Sequence, residues 1–492
     1  MRGSEEPDPE PGITLGNKLP NAYSVANMQA AYNRLHSSNH HGNSSAPETL
    51  SPTHLYVKLT VEDTAELSKI LNDTTIDVYP YPLDYELIGT GFYTPANPYE
   101  LYAVVPVGWN FGTISYVLLE QCIIPDDDDE DMIEVEIESL RMAGYPIVQD
   151  NGGTRCWGQA PSGRIKVYNT QSQEEEGVNN VKVKLNTLVR VRNVYTSETG
   201  AYSSNTKFYT NVNYTVYYDN KNSFRIWDNN VSIMPAMMGL GVHSAVGYNY
   251  TMWTTSAGWR PSTVNNAVCI YKKHLASDFE IPAPPNNLRI SLISFLDDGW
   301  GGSTPMFYHR IRNDLQLRQF MILFSISSGL MLALPDMFIM NKNRETVSQY
   351  ANVFHEMSHV SHYMQVGGSY WSCFVGDIIL NEGYGDDTSS WLSERVGISE
   401  MWGYYAEGML EKHYWSVYGN DTSVHNKYGE SLWFKPSVLH DITETVFIGT
   451  STIFGCLQPN VTTFNAFNQS IKNQTIPQNY GYIDSLFSTI HY

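Results

Sequence analysis

The amino-acid sequence predicts a multidomain α+β protein, on three observations. Apolar and polar residues alternate in short runs between Thr53 and Val78, and turn residues cut the stretch from Gly163 to Trp227 into brief, evenly spaced strands. From about Asp228 onward, helical spacing of apolar residues takes over. A chain of 492 residues is long enough to bury more than one core. We divide it into an arm over residues 1–45, an N-terminal α+β domain over 46–155, a β-sandwich over 156–228 and a mainly α-helical domain over 229–492.

The first 45 or so residues are rich in Pro, Asn, Ser, Gly and His, and show helical spacing only around Ala26 to Leu35, which suits a tether or a partly ordered arm. The opening MRGSEEPDPEPG has no apolar run of the kind a signal peptide needs, so nothing in it directs export. In the next domain His54 to Thr60 alternates as a strand, Thr64 to Leu71 is spaced as a helix, and Ile76 to Val78 returns to strand. The run Asp126 to Asp131 lacks the spaced Asp-x-Asp-x-Asp-Gly of a calcium loop and is expected to be a solvated charged loop. Strands are expected at Arg164–Tyr168, Val181–Leu185, Thr187–Val191, Lys207–Tyr209, Tyr214–Tyr218 and Phe224–Ile226. In the last domain the apolar run from Phe320 to Leu334 is shorter than the roughly 20 residues that span a bilayer, so a buried helix is expected there and no transmembrane span. Pro335 to Met340 is expected to be a strand placed to hold an extended substrate backbone.

A net charge of −21 would repel nucleic acid and anionic membranes, and argues against both as partners. Abundant Tyr, Trp, Asn, Ser, Thr and Gly beside few Lys and Arg fit a secreted or cell-surface protein, expected to be a monomer. The cysteines, Cys122, Cys156, Cys269, Cys373 and Cys456, are odd in number, far apart and without a CxxC pair. They are expected to be buried free thiols rather than a disulfide framework or zinc ribbon.

The strongest functional signal is His355-Glu356-Met357-Ser358-His359, an HExxH pattern between Ser348 and the Gly367-Gly368 pair that should end its helix. Positions i and i+4 share a helix face, so His355 and His359 can offer two imidazole nitrogens to one Zn2+. Glu356 beside them can take a proton from water and hand it to a leaving amine, as peptide-bond hydrolysis requires. Val353, Phe354, Met357, Val360 and Met364 supply the apolar side of that helix.

A hydrolytic zinc usually takes three protein ligands. His362 would rise about 4.5 Å beyond His359 on an unbroken helix and is expected to pack rather than ligate. Glu382, in Asn381-Glu382-Gly383-Tyr384-Gly385-Asp386, resembles the Asn-Glu-x-x-x-Asp segment of thermolysin-like gluzincins. Glu400, in Gly397-Ile398-Ser399-Glu400-Met401-Trp402-Gly403-Tyr404-Tyr405, is expected to open a helix reaching about Trp415. Tyr404 and Tyr405 are candidate donors to a tetrahedral oxyanion, with Tyr404 the catalytic choice.

Two resemblances add to this. Gly177-Val178-Asn179-Asn180-Val181-Lys182-Val183 followed by Thr196-Ser197-Glu198-Thr199-Gly200-Ala201-Tyr202 resembles the carboxypeptidase-regulatory or prealbumin-like β-sandwich, which positions rather than catalyses. The segment Leu334 to Trp371 with its HExxH, the phrase Gly301 to Met306 and Glu400 to Tyr405 together resemble the zinc metalloprotease lipoproteins of Bacteroidetes, over most of the chain after residue 50. This chain has Met357 for that group's leucine and Ser399 for its glycine, and neither is a proposed ligand. The resemblance implies a C-terminal zincin-like catalytic domain, a surface-anchored hydrolase of proteins, glycoproteins or peptides, and Glu400 as third zinc ligand ahead of Glu382. The competing class is an adhesin or glycan-binding protein with a structural metal, in which Trp371, Trp391 and Trp402 would stack on sugars.

Overall fold

The computed structural model describes residues 12–37, 48–148, 158–220, 223–228, 233–293, 335–340, 342–381, 385, 392–417 and 432–490. They form a mixed α/β protein with several sheets and a helical C-terminal region. Cys156, Glu382, Trp391, the Gly301 to Met306 phrase and the apolar run before Pro335 lie outside the described residues.

Part of the expected tether is built into the fold. Thr14–Lys18 pairs antiparallel with Tyr85–Ile88, and helix α1 (Val25–Ser37) follows it. Ala22, Tyr23, Met28 and Ala31 are fully buried, which an arm made only for reach would not achieve. The N-terminal sheet orders Asp77–Tyr79, Glu100–Pro106, His54–Thr60 and Ser115–Cys122, all antiparallel. Helix α2 (Thr64–Asn72) starts where Asp63 accepts from the Ala65 and Glu66 amides.

The residues of the acidic run are all exposed, as expected of a solvated charged loop, and two of them also make specific contacts. Asp129 caps helix α3 (Glu130–Met142), accepting from the Met132 amide, and Asp127 accepts from Arg190 at 2.7 Å and Arg192 at 3.2 Å. The fully buried Arg190 also pairs with buried Glu136, which accepts from the Tyr23 hydroxyl at 2.6 Å. This network joins the first helices to the central strands.

The central strands make two sheets that share one core. One orders Arg190–Tyr195, Lys182–Thr187, Val212–Tyr217, Met237–His243 and Gly91–Phe92; the other places Ser162–Asn169 between Ala201–Ser203 and Tyr250–Met252, with Glu174–Gly177 also paired to it. Met237–His243 and Tyr250–Met252 carry these sheets past residue 228. Lys207–Tyr209, expected as a strand, contributes only the isolated bridge of Phe208 with Gln159. The expected Thr187–Val191 strand is displaced by a turn at Leu188, whose φ is 51°, and pairing resumes at Arg190.

A further sheet carries Phe224–Asp228, Leu288–Leu292 and Met337–Ile339 in parallel, with Met337–Ile339 last in order. Helix α4 (Trp259–Ile270) packs against helix α5 (Thr346–Leu380), which packs in turn along helix α6 (Leu392–Val417). The N-terminus of α5 is tied to the sheets reciprocally: the Thr170 amide donates to Thr346 Oγ1 and the Thr346 amide to Thr170 Oγ1. The helical run of α5 breaks at Gly367 (φ 77°, ψ 176°), where the double glycine predicted a stop, and resumes beyond it. No helix among the described residues is long and apolar enough to cross a membrane.

Candidate metal centre

Helix α5 carries the HExxH pattern before its break at Gly367. Val353, Phe354, Met357 and Val360 are fully buried and seat the helix, whereas Met364 is 46% exposed and does not belong to that apolar side. The helix spacing then turns both imidazoles toward α6.

His355 Nε2 and His359 Nε2 stand 3.1 Å apart. Glu400 reaches across from α6, with Oε2 3.5 Å from His355 Nε2 and Oε1 3.6 Å from His359 Nε2. Ligand atoms bound tetrahedrally at zinc distances would stand about 3.3 to 3.5 Å from one another, so this trio is spaced to share one ion. Glu356 also brings a carboxylate oxygen within 4.8 Å of the two histidines. All four groups are buried. Glu356 Oε2, Glu400 Oε2 and His359 Nδ1 make no hydrogen bond, a costly arrangement for buried polar atoms unless a further group completes it. The residues present therefore fit a divalent cation.

Glu400 does not open its helix; α6 begins at Leu392, so the carboxylate rises from a rigid helix interior. Gly403, one turn later, permits the approach. A Cβ there would lie 2.8 Å from His359 Cε1 and 2.9 Å from both His355 Cε1 and His359 Nε2. One further turn along the same face, Glu407 Oε2 accepts from His355 Nδ1 at 3.2 Å. Neither Gly403 nor Glu407 stood out in the sequence. Their spacing from Glu400, three and seven residues, is the helical stripe that could have drawn attention to them.

Electrostatics distinguish the groups. Burial pushes the Glu356 carboxyl up to about 8; His355 opposes this, and Glu400 and Glu407 add to it. Burial would also raise Glu400, but the two facing imidazoles outweigh it and hold the carboxyl below its ordinary range. His355 shows the reverse balance: burial disfavours its charge, yet Glu400 and Glu407 raise it well above the usual imidazole value. His359 is pushed down by burial. His362 is pushed down to about 3 by burial and His359, and its ring packs 5.3 Å from Tyr370 and 5.5 Å from Trp371, as expected of a packing histidine.

The half-buried Tyr404 ring lies 4.6 Å from that of His355, so this phenol belongs to the site. Tyr405 does not: its hydroxyl is engaged by Thr443 at 2.6 Å and Thr450 at 3.0 Å. Trp371 and Trp402 are fully buried and offer no face to a sugar. The free cysteines Cys122 and Cys456 are buried as expected, but Cys373 is exposed. No protein-family model and no curated protein matches the chain.

Proposed function

We propose that this chain is a zinc-dependent metallopeptidase acting on extracellular proteins, glycoproteins or peptides, exported to the cell surface or beyond. The observation that carries the reading is the convergence of His355 Nε2, His359 Nε2 and the Glu400 carboxylate within 3.1 to 3.6 Å of one another, with buried Glu356 beside them. In this reading the central sheets act as a carboxypeptidase-regulatory-like positioning module, and the helical region is a gluzincin-like catalytic domain.

Two imidazoles and one carboxylate are a donor set suited to Zn2+ in a hydrolytic site, with His355, His359 and Glu400 as its holders. The ion, when bound, supplies a Lewis acid that polarises a carbonyl and eases deprotonation of water. Glu356 is the general base: it takes the proton of the attacking water and returns it to the departing amide nitrogen. Its raised pKa suits both transfers, and a nearby cation would lower it toward the working range of a base. Tyr404, against His355, would donate from its phenol to the developing oxyanion.

The test joins metal content to turnover. Dialysed wild-type protein should hold about one zinc per chain, and His355→Ala and Glu400→Ala should lose it. Glu356→Gln should keep the zinc while cleavage of a fluorescently labelled unfolded protein falls by about 100- to 10,000-fold. Wild-type protein without zinc, or a Glu356→Gln variant that still cleaves at the wild-type rate, would overturn the proposal.

A further inference from the structure

The two histidines are not held alike. His355 Nδ1 donates to Glu407 Oε2 at 3.2 Å, whereas His359 Nδ1 makes no hydrogen bond and its ring is confined by Trp371 and Phe374. Glu407 is itself buried, and its position two turns beyond Glu400 aims it at the far side of the same imidazole. A buried carboxylate needs a matched partner; here that partner is a ring whose other nitrogen faces His359 and Glu400.

We infer that Glu407 is the positioning residue of the centre, acting through His355. By accepting the Nδ1 proton it fixes the tautomer with Nδ1–H, frees the Nε2 lone pair for a metal and clamps the ring plane. Glu407 has this role only if His355 ligates a metal, so it depends on the metallopeptidase reading. A glutamine at 407 would fill the same volume but could either donate or accept, leaving the tautomer unfixed. His359, whose Nδ1 has no such carboxylate, cannot compensate for a misdirected His355.

The experiment is zinc reloading of metal-free protein in competition with a chromophoric chelator. Glu407→Gln should weaken zinc by about 10- to 100-fold, and Glu407→Asp, which keeps the charge but shortens the arm, should fall between it and wild type. Melting of the metal-free forms should be unchanged. A Glu407→Gln zinc affinity within twofold of wild type would overturn the role. If metal-free melting falls as well, cobalt(II) loading decides: an altered visible absorption band supports a change at the ligands, and an unaltered band overturns it. Wild-type protein that takes no zinc sinks the metallopeptidase reading and Glu407's role together. Zinc binding by wild type alongside an unaffected Glu407→Gln variant removes Glu407 alone.

Discussion

Gly403→Ala tests whether the gap between α5 and α6 makes the proposed metal centre. The added Cβ would sit 2.8 to 2.9 Å from three atoms of His355 and His359, while apolar carbons rest about 3.5 to 4.0 Å apart. Relief needs a shift of roughly 0.5 to 1 Å. His355 is tied to Glu407 and His359 is hemmed in by Trp371, so the helices or the imidazoles must move as units. Two effects compete in stability. Alanine in a helix interior is favoured over glycine by about 1 kcal/mol, and overpacking costs about 1 to 3 kcal/mol, so the metal-free variant should lose between zero and about 2 kcal/mol. Zinc binding is less forgiving, because ligand distances tolerate only about 0.2 Å. We therefore expect zinc affinity to fall by more than about tenfold, a loss of at least about 1.4 kcal/mol.

The assay is chelator competition for zinc beside a denaturant melt of the metal-free protein. Gly376→Ala is the control: it lies in the later part of α5, a Cβ there meets nothing within 4 Å, and it should gain about 0.5 to 1 kcal/mol. A Gly403→Ala variant that binds zinc within threefold of wild type and melts later, as the control does, would refute the reasoning.

Two further predictions lie away from the ligands. Gly367→Ala meets no atom within 4 Å, yet its φ of 77° belongs to the left-handed region, so urea unfolding should show a loss of about 1 to 2 kcal/mol; wild-type stability would mean the break in α5 is not required. Burial under Tyr79 and Tyr217 pushes the Lys184 ammonium down from 10.5 to about 8, with Asp77 pulling the other way. Below pH 8 both folded and unfolded chains carry this charge. Between about pH 8 and 10.5 the unfolded chain holds more protons, so Lys184 adds stability as pH rises, roughly 3 kcal/mol across the window. Urea melts of wild type and Lys184→Met should diverge by that amount over the window, and parallel pH profiles would contradict it.

What the sequence disclosed follows how local the physics is. The shared face of His355 and His359 and the stop at Gly367 depend only on helix geometry and on one residue's backbone freedom, and both were legible. Helix α6 begins before Glu400 and takes in Gly397. That residue is not a breaker but a packing glycine: a Cβ there would lie 2.6 Å from Trp433 and 2.8 Å from Phe464, contacts that only tertiary structure creates. The partners of the acidic run at Asp126 were hidden for a similar reason. Its counter-charges, Arg190 and Arg192, are more than sixty residues away, so the ion pairs of Asp127 are not written in the local sequence. Tyr23 and Met28 show the same limit, because composition marked their segment as a tether while Glu136 and the core gave it a place.

The proposed third ligand needed more than spacing, because the distance between two helices is not written in either one. Glu400 is buried in α6 among Met401, Trp402 and Tyr405, and its ion pairs are with the two histidines. With His355 charged and His359 neutral, one proton can sit between the two Nε2 atoms at 3.1 Å, and the charged ring faces the Glu400 carboxylate. A single divalent cation would take the place of that proton, attracting the carboxylate and binding both Nε2 lone pairs. On that argument the glycine at 403 and the carboxylates at 400 and 407 form one feature of α6. One turn provides clearance, the turn before it charge, and the turn after it orientation; disturbing any of them should be felt first as lost metal.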